Sequence, residues 1–247
     1  MKRTPVTRGF IADWAVTAVL LLFGATTALQ AFVIPSGSME GTLLVGDHLF
    51  VDKVIYSPAD GVSKHLLPYR DVQRGDVIVF RYPLDLNKNL VKRAIGVPGD
   101  RLRLENKLLI LNGRIMEEPY ARHIEGSNEF YRNNFPAMPP EGLRPRAAEM
   151  LASHVVNGEL VVPPGFIFAT GDNRENSDDS RYWGLVPREN IVGTPFMVYW
   201  SFEASSEDMQ EPGLGAGHLL DIAMHFATKT RWIRTFHIVR SYPLQRP

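Results

Sequence analysis

The longest apolar stretch of the chain lies near its start. No residue between Trp14 and Met39 is charged, and residues 14–34 are apolar apart from Thr17, Thr26, Thr27 and Gln30. At ~1.5 Å per residue a helical run of this length spans roughly 30 Å, the thickness of a bilayer's hydrocarbon core. The pattern predicts a transmembrane anchor over residues 10–33. Lys2, Arg3 and Arg8 precede it, which by the positive-inside bias assigns residues 1–9 to the cytoplasm and the body to the far side. Trp14 suits an interfacial position. A cleavable signal peptide would have a shorter apolar core, ~7–15 residues, and small residues at −3 and −1, so an uncleaved anchor is the expectation. No second span follows, since residues 218–227 are short and carry Asp221 and two histidines.

Beyond the anchor the pattern changes to short β-branched and aromatic runs bounded by Gly and Pro, as strands are. These runs cover residues 49–56, 77–82, 90–97, 166–169 and 197–202. Gly-Asp pairs punctuate them at Gly46-Asp47, Gly75-Asp76, Gly99-Asp100 and Gly171-Asp172. Residues 101–112 alternate around Glu105-Asn106-Lys107, which predicts a hairpin. Between 117 and 146 strand patterns fade and Pro136, Pro139, Pro140 and Pro145 crowd together. Residues 203–217 read as a loop, and residues 232–239 as a last strand after a short amphipathic run. The fold class expected is mainly β: an N-terminal transmembrane helix, then an antiparallel β-rich catalytic domain with an inserted subdomain. Its parts are core residues 34–101, insertion 102–164, core residues 165–202, and a loop and tail over 203–247.

Composition removes several chemistries. Lys+Arg and Asp+Glu both number 27, so no basic excess points to nucleic acid as a partner. Cysteine is absent, which excludes disulfides, thiolate catalysis and cysteine-based zinc sites. There is no H-E-x-x-H and no G-x-S-x-G, so neither a zinc protease nor a serine–histidine hydrolase is indicated. No metal and no cofactor is expected.

Three segments carry candidate chemistry. In Ser36-Gly37-Ser38-Met39-Glu40 a serine stands at the foot of the anchor; its hydroxyl becomes nucleophilic only beside a base. Lys92 stands in N-L-V-K-R-A-I-G-V-P-G-D. In an extended segment it shares a face with Leu90 and Ala94, and burial among such neighbours lowers a lysine pKa, in extreme cases by ~3–5 units. A neutral lysine can take a serine proton; a solvated ammonium cannot. Arg93, on the opposite face, reads as structural or exposed. The third segment, Gly171 to Arg181 (G-D-N-R-E-N-S-D-D-S-R), is dense in side chains that bond their own backbone and predicts a tight loop. Its spacing is unlike a calcium loop.

These segments, in this order, resemble the signatures of bacterial type I signal peptidases (leader peptidases), the serine–lysine enzymes of peptidase family S26. R-G-D-V-I-V-F at 74–80 is a fourth, less specific match, and the resemblance covers residues 32–56, 75–113 and 165–200. It implies Ser38 as nucleophile and Lys92 as general base. Ser36, with the Ser38 backbone N–H, would form the oxyanion hole, and Ser177 would hydrogen-bond and orient the lysine. Asp179 and Arg181 would brace the loop, and Met39 would lie where the substrate pockets begin. Gly41 stands where the family commonly carries proline; Ala94, Val97, Glu175 and Asp178 are milder departures. The expected activity is removal of signal peptides from secreted preproteins after small residues, Ala-x-Ala-like, at the outer face of the bacterial cytoplasmic membrane. Preprotein signal peptides and the lipid bilayer are the partners implied, with secretion machinery as a further candidate. The alternatives are another membrane processing peptidase of the same fold, of pilin or conjugation type, and a non-catalytic membrane-anchored binding module.

Overall fold

The computed structural model describes residues 9–56, 69–124, 126, 129–210, 216–242 and 244. Residues 1–8, with Lys2, Arg3 and Arg8, lie outside the described residues, as do 211–215 of the expected 203–217 loop. The N-terminal helix α1 covers Phe10–Thr27. Its Phe10, Ile11, Trp14 and Leu20 to Phe23 side chains are exposed. The expected anchor does not continue as helix to residue 33. Leu29–Val33 is a strand, β1, paired antiparallel with β2 (Asp47–Asp52) from Leu29↔Asp52 to Val33↔His48. A free sheet edge supplies partners for this backbone, and such tertiary pairing overrides a helical reading of an apolar run. The helix of 18 residues is ~27 Å long. Among the described residues, no helix is long and apolar enough to cross a membrane.

The main sheet has eight strands in the order β1-β2-β12-β3-β4-β10-β11, with β13 added beside β12. Its further strands are β3 (Val77–Tyr82), β4 (Asp85–Gly96), β10 (Phe166–Thr170), β11 (Val186–Pro187), β12 (Ile191–Ser201) and β13 (His237–Ile238). Every pairing is antiparallel. On β2 the residues alternate buried and half-buried, so one face looks into the core. Val77 to Phe80 of β3 are all buried, the mark of a central strand covered on both faces.

A second, five-stranded sheet, β7-β6-β5-β9-β8, comes from residues 101–161, between β4 and β10. It contains the predicted hairpin: β5 (Arg101–Glu105) and β6 (Leu108–Leu111) meet through Asn106 and Lys107, both at positive φ as a tight two-residue turn requires. β7 (Arg114–Ile115), β8 (Val155–Val156) and β9 (Glu159–Val161) complete it. The proline-crowded stretch is not featureless. It holds the short helix α2 (Phe130–Asn133) and the helix α3 (Pro145–His154), which starts on a proline whose missing N–H costs nothing there. Ile95 and Phe168 of the main sheet pack into one core with Leu102, Leu104 and Leu160 of the second and with Phe135, just after α2.

The tail also differs from expectation. Within the 203–217 stretch a short helix, α5 (Ser206–Gln210), forms, and the amphipathic run is helix α6 (Ala216–Lys229). Of residues 232–239, only His237–Ile238 is strand; Trp232–Arg234 is a 3-10 turn.

Candidate active site

Ser38 sits in a 3-10 turn at Gly37–Met39, entered from Ser36 in extended backbone. Met39 and Leu43 are buried with Ile34, Leu49 and Val198, and this apolar packing fixes the turn against the main sheet. Lys92 comes from the middle of β4, facing Ile78 across the ladder, and is only 4% exposed. Its Nζ donates to Ser38 Oγ at 2.6 Å. Ser36 Oγ lies 3.5 Å from Ser38 Oγ. Two residues separated by more than fifty positions, together with Ser36, therefore form one cluster.

Burial pushes the Lys92 ammonium down to about 8. The Asp179, Asp178 and Asp172 carboxylates oppose that shift, and the Arg181 guanidinium adds to it. Taking a cation out of water disfavours its charged form, and here that effect prevails. The result is a lysine whose neutral amine is within reach near physiological pH, hydrogen-bonded to a serine hydroxyl.

The loop after β10 closes the site from behind. Gly171 leaves no room for a side chain: a Cβ there would lie 2.3 Å from Ser177 Oγ and 2.4 Å from the Ser38 carbonyl oxygen. Ser38 and Ser177 thus flank one bare backbone position. The expected hydrogen bond between Ser177 and Lys92 is not made. Ser177 Oγ is buried and without a hydrogen-bond partner, close to the Asp179 carboxylate but not in bonding geometry with it. Asp179 and Arg181 pair as expected, fully buried, through Nε–Oδ1 at 2.8 Å and Nη2–Oδ2 at 2.7 Å. Asp179 also accepts from the Gly171 N–H and caps the short helix α4 (Ser180–Trp183). Burial works to raise the Asp179 pKa, but Arg181's charge and hydrogen bonds outweigh it and hold the carboxyl below its usual range.

A groove opens at the dyad, lined by Phe32 and Val33 of β1, Leu90 and Val91 of β4, and Met39. Met39 lines it while only 1% exposed.

Among the supporting residues, Thr42 and Glu118 were not singled out by the sequence, and Arg93 was read only as structural or exposed. Arg93, on the face of β4 opposite Lys92, is buried and forks onto Asp172 at 2.8 and 2.6 Å. Thr42 donates to the same carboxylate at 2.6 Å. Glu118 of the inserted subdomain holds Arg174 through two bonds, at 2.8 and 2.5 Å. The clue available was position: Arg93 adjoins Lys92, and on a central strand both faces are covered.

Residues 8–200 match the family model described as signal peptidase, peptidase S26, and the chain belongs to that family. Among curated proteins it is 41% identical over 189 residues to signal peptidase I of Pseudomonas fluorescens, covering 70% of this chain and 66% of that protein. It is 32% identical over 234 residues to signal peptidase I of Aquifex aeolicus, covering 81% and 87%. The alignment with the Pseudomonas protein thus spans just under two thirds of its length. A solved structure of a signal peptidase I from Enterococcus faecalis V583 matches at 30% identity over 51% of this chain and 97% of that one, with a TM-score of 0.38, a superposition too loose to inform the fold. The family resemblance read from the three sequence segments is borne out.

Proposed function

We propose that this chain is a membrane-bound endopeptidase that removes N-terminal signal peptides from secreted preproteins by a serine–lysine mechanism. One observation carries the reading: the buried Lys92 amine, pushed down to about 8, donates to Ser38 Oγ at 2.6 Å. A base within hydrogen-bond reach of a nucleophile, with its pKa near the working pH, is what proton abstraction from serine needs. Ser38 Oγ attacks the carbonyl of the residue at −1 as Lys92 Nζ takes the hydroxyl proton. The tetrahedral oxyanion is met by the Ser38 backbone N–H and the Ser36 hydroxyl. Collapse breaks the peptide bond, and the Lys92 ammonium returns its proton to the leaving amine. Water then attacks the acyl ester, with Lys92 again as base, and releases the carboxylate and free Ser38. Asp179 and Arg181 brace the loop behind this cluster. Ser177 supports the site by filling the space beside Gly171. The small, mainly apolar groove beside Ser38, which Met39 helps to line, favours small side chains at −1 and −3.

Anchoring is supported by α1, whose apolar side chains are exposed and whose one charged residue is Asp13 in its first turn. Lys2, Arg3 and Arg8 before it favour a cytoplasmic N-terminus, with the catalytic domain on the outer face of the bacterial cytoplasmic membrane. Enzyme and signal helix then share one bilayer, which raises their effective concentration. The test is to incubate the detergent-solubilised protein with a preprotein whose signal ends in Ala-x-Ala, beside Ser38→Ala and Lys92→Ala. Cleavage directly after the −1 alanine, read by mass spectrometry of the product N-terminus and lost in both variants, is the expected result. Cleavage retained in Ser38→Ala would refute the mechanism, and no cleavage by folded wild type would refute the activity.

A further inference from the structure

Three chain segments meet behind the Ser38 turn. The Asn173 backbone N–H donates to the Ser38 carbonyl at 3.1 Å, and its side-chain amide reaches the Gly37 carbonyl at 3.3 Å and the Glu40 carboxylate at 3.4 Å. The inserted subdomain backs Asn173 in turn. The Arg122 N–H donates to the Asp172 carbonyl at 2.7 Å and the Arg174 N–H to the Arg122 carbonyl at 3.0 Å, so Arg122 and Asn173 form a parallel bridge. From there the Arg122 guanidinium crosses to Glu40, Nη1 to Oε2 at 3.0 Å. Glu40 follows the nucleophile by two residues. One ion pair therefore ties the nucleophile turn to the inserted subdomain, and Asn173 lies between the two.

Gly41 belongs to the same arrangement. Its φ of +120° is closed to proline, and a Cβ there would lie 2.8 Å from the Tyr120 carbonyl and 3.9 Å from Arg122 Cβ. A glycine at this position is what lets residues 120–122 approach the nucleophile turn. Tyr120 adds a second tie, its ring 3.9 Å from the Arg93 guanidinium carbon.

We propose that Arg122, acting through Glu40 and Asn173, is a positioning residue that holds Ser38 in register with Lys92. The inference rests on the serine–lysine reading above. Neither Arg122 nor Glu40 lines the groove at Ser38, so their loss acts on the geometry of the nucleophile rather than on substrate binding.

The experiment compares wild type, Arg122→Ala, Arg122→Lys, Glu40→Gln and the Arg122→Ala/Glu40→Gln double variant on the Ala-x-Ala preprotein, with Ser38→Ala alongside. A sub-ångström displacement of a nucleophile predicts a fall in kcat of about tenfold in Arg122→Ala, with KM within about twofold. Glu40→Gln falls comparably, and the double variant is no worse than either single, because both remove one interaction. Arg122→Lys recovers most of the rate. The pair is solvent-exposed, so Tm moves by less than about 2 °C. An activity-independent arm follows amide exchange by NMR: in Arg122→Ala the Asn173 amide exchanges several-fold faster while those of β3 and β4 are unchanged. Unchanged kcat together with unchanged Asn173 exchange would overturn the proposal. So would multiplicative losses in the double variant, or a rate loss that tracks a fall in Tm. If Ser38→Ala still cleaves, the catalytic reading fails, and the exchange arm still decides whether Arg122 holds the turn.

Discussion

Lys92 should leave two measurable signatures, one in rate and one in stability. Its pKa is pushed from 10.5 down to about 8 by burial. The difference corresponds to about 3 kcal/mol of preference for the neutral amine. If the neutral form is the base, about one molecule in eleven is competent at pH 7 and about ten in eleven at pH 9, so kcat/KM should rise about tenfold between them. The stability effect has the sign opposite to the usual lysine case, because the folded pKa is depressed rather than raised. Below about pH 8 both folded and unfolded chains carry the proton, and folding bears the full cost of burying the charge. Between about pH 8 and 10.5 the folded chain releases the proton while the unfolded chain keeps it, so stability rises with pH across that window.

Lys92→Met keeps the volume and removes the charge. At pH 7 it should abolish turnover and stabilise the fold by about 2 kcal/mol, after about 1 kcal/mol is subtracted for the lost bond to Ser38 Oγ. For a chain of this size that is a rise in Tm of about 4–8 °C. The advantage should shrink as pH rises through the window. The assay is kcat/KM against pH for wild type, with denaturation of wild type and Lys92→Met at pH 7 and pH 10. A flat rate profile, or a methionine variant less stable than wild type at pH 7, would refute this account of the base.

Ser36→Ala removes one donor near the reacting carbonyl and should lower kcat by about 10²–10³ with KM little changed, checked by steady-state kinetics. Gly171→Ala would drive a methyl to 2.3 Å from Ser177 Oγ and 2.4 Å from the Ser38 carbonyl oxygen. The turn must then shift, and activity should fall at least about a hundredfold while stability drops by about 1–3 kcal/mol, measured by cleavage and urea denaturation. Asp179→Asn leaves the buried Arg181 without its counter-charge and should cost about 3–5 kcal/mol, seen as a Tm lowered by roughly 10 °C or more.

Ser38, Lys92 and the loop from Gly171 to Arg181 stood out as candidates by local features (a serine in permissive backbone, a lysine among aliphatics on a strand, a run of turn-forming side chains), while their roles came only from the resemblance of the three segments, in order, to one family. The strands were legible where their own composition decides them, as in β3 and the β5–β6 hairpin. Elsewhere distant partners decide. Residues 29–33 look like the end of an apolar helix but join β2 at an open edge. Residues 232–239 look like a strand, yet only the two residues opposite Met197 and Val198 find pairing. Ser177 illustrates the limit for side chains: the resemblance implied a bond to Lys92, but its hydroxyl's direction depends on the packing of the whole loop. Arg122 carries no local signal at all, because its role arises only where the inserted subdomain meets residues 40 and 173.

The density of buried charge around Lys92 has a common physical logic. Asp172 and Asp179 both pull the lysine pKa upward, and unpaired they would favour a permanently charged, inert ammonium. Each is instead matched by a guanidinium, Arg93 for Asp172 and Arg181 for Asp179, in forked bonds that consume both carboxylate oxygens. Arg181 also acts directly to lower the lysine. Buried pairs of this kind add little net stability over apolar packing, since the desolvation of both ions offsets their attraction. Their value here lies in what they permit. The paired carboxylates can order the Gly171 to Arg181 loop through hydrogen bonds, while their upward pull on Lys92 stays weaker than the effect of burial. An apolar loop could keep the lysine neutral but would offer no side-chain donor such as the Asn173 amide to hold the Gly37 carbonyl of the Ser38 turn. Unpaired carboxylates could order the loop but would keep the lysine protonated.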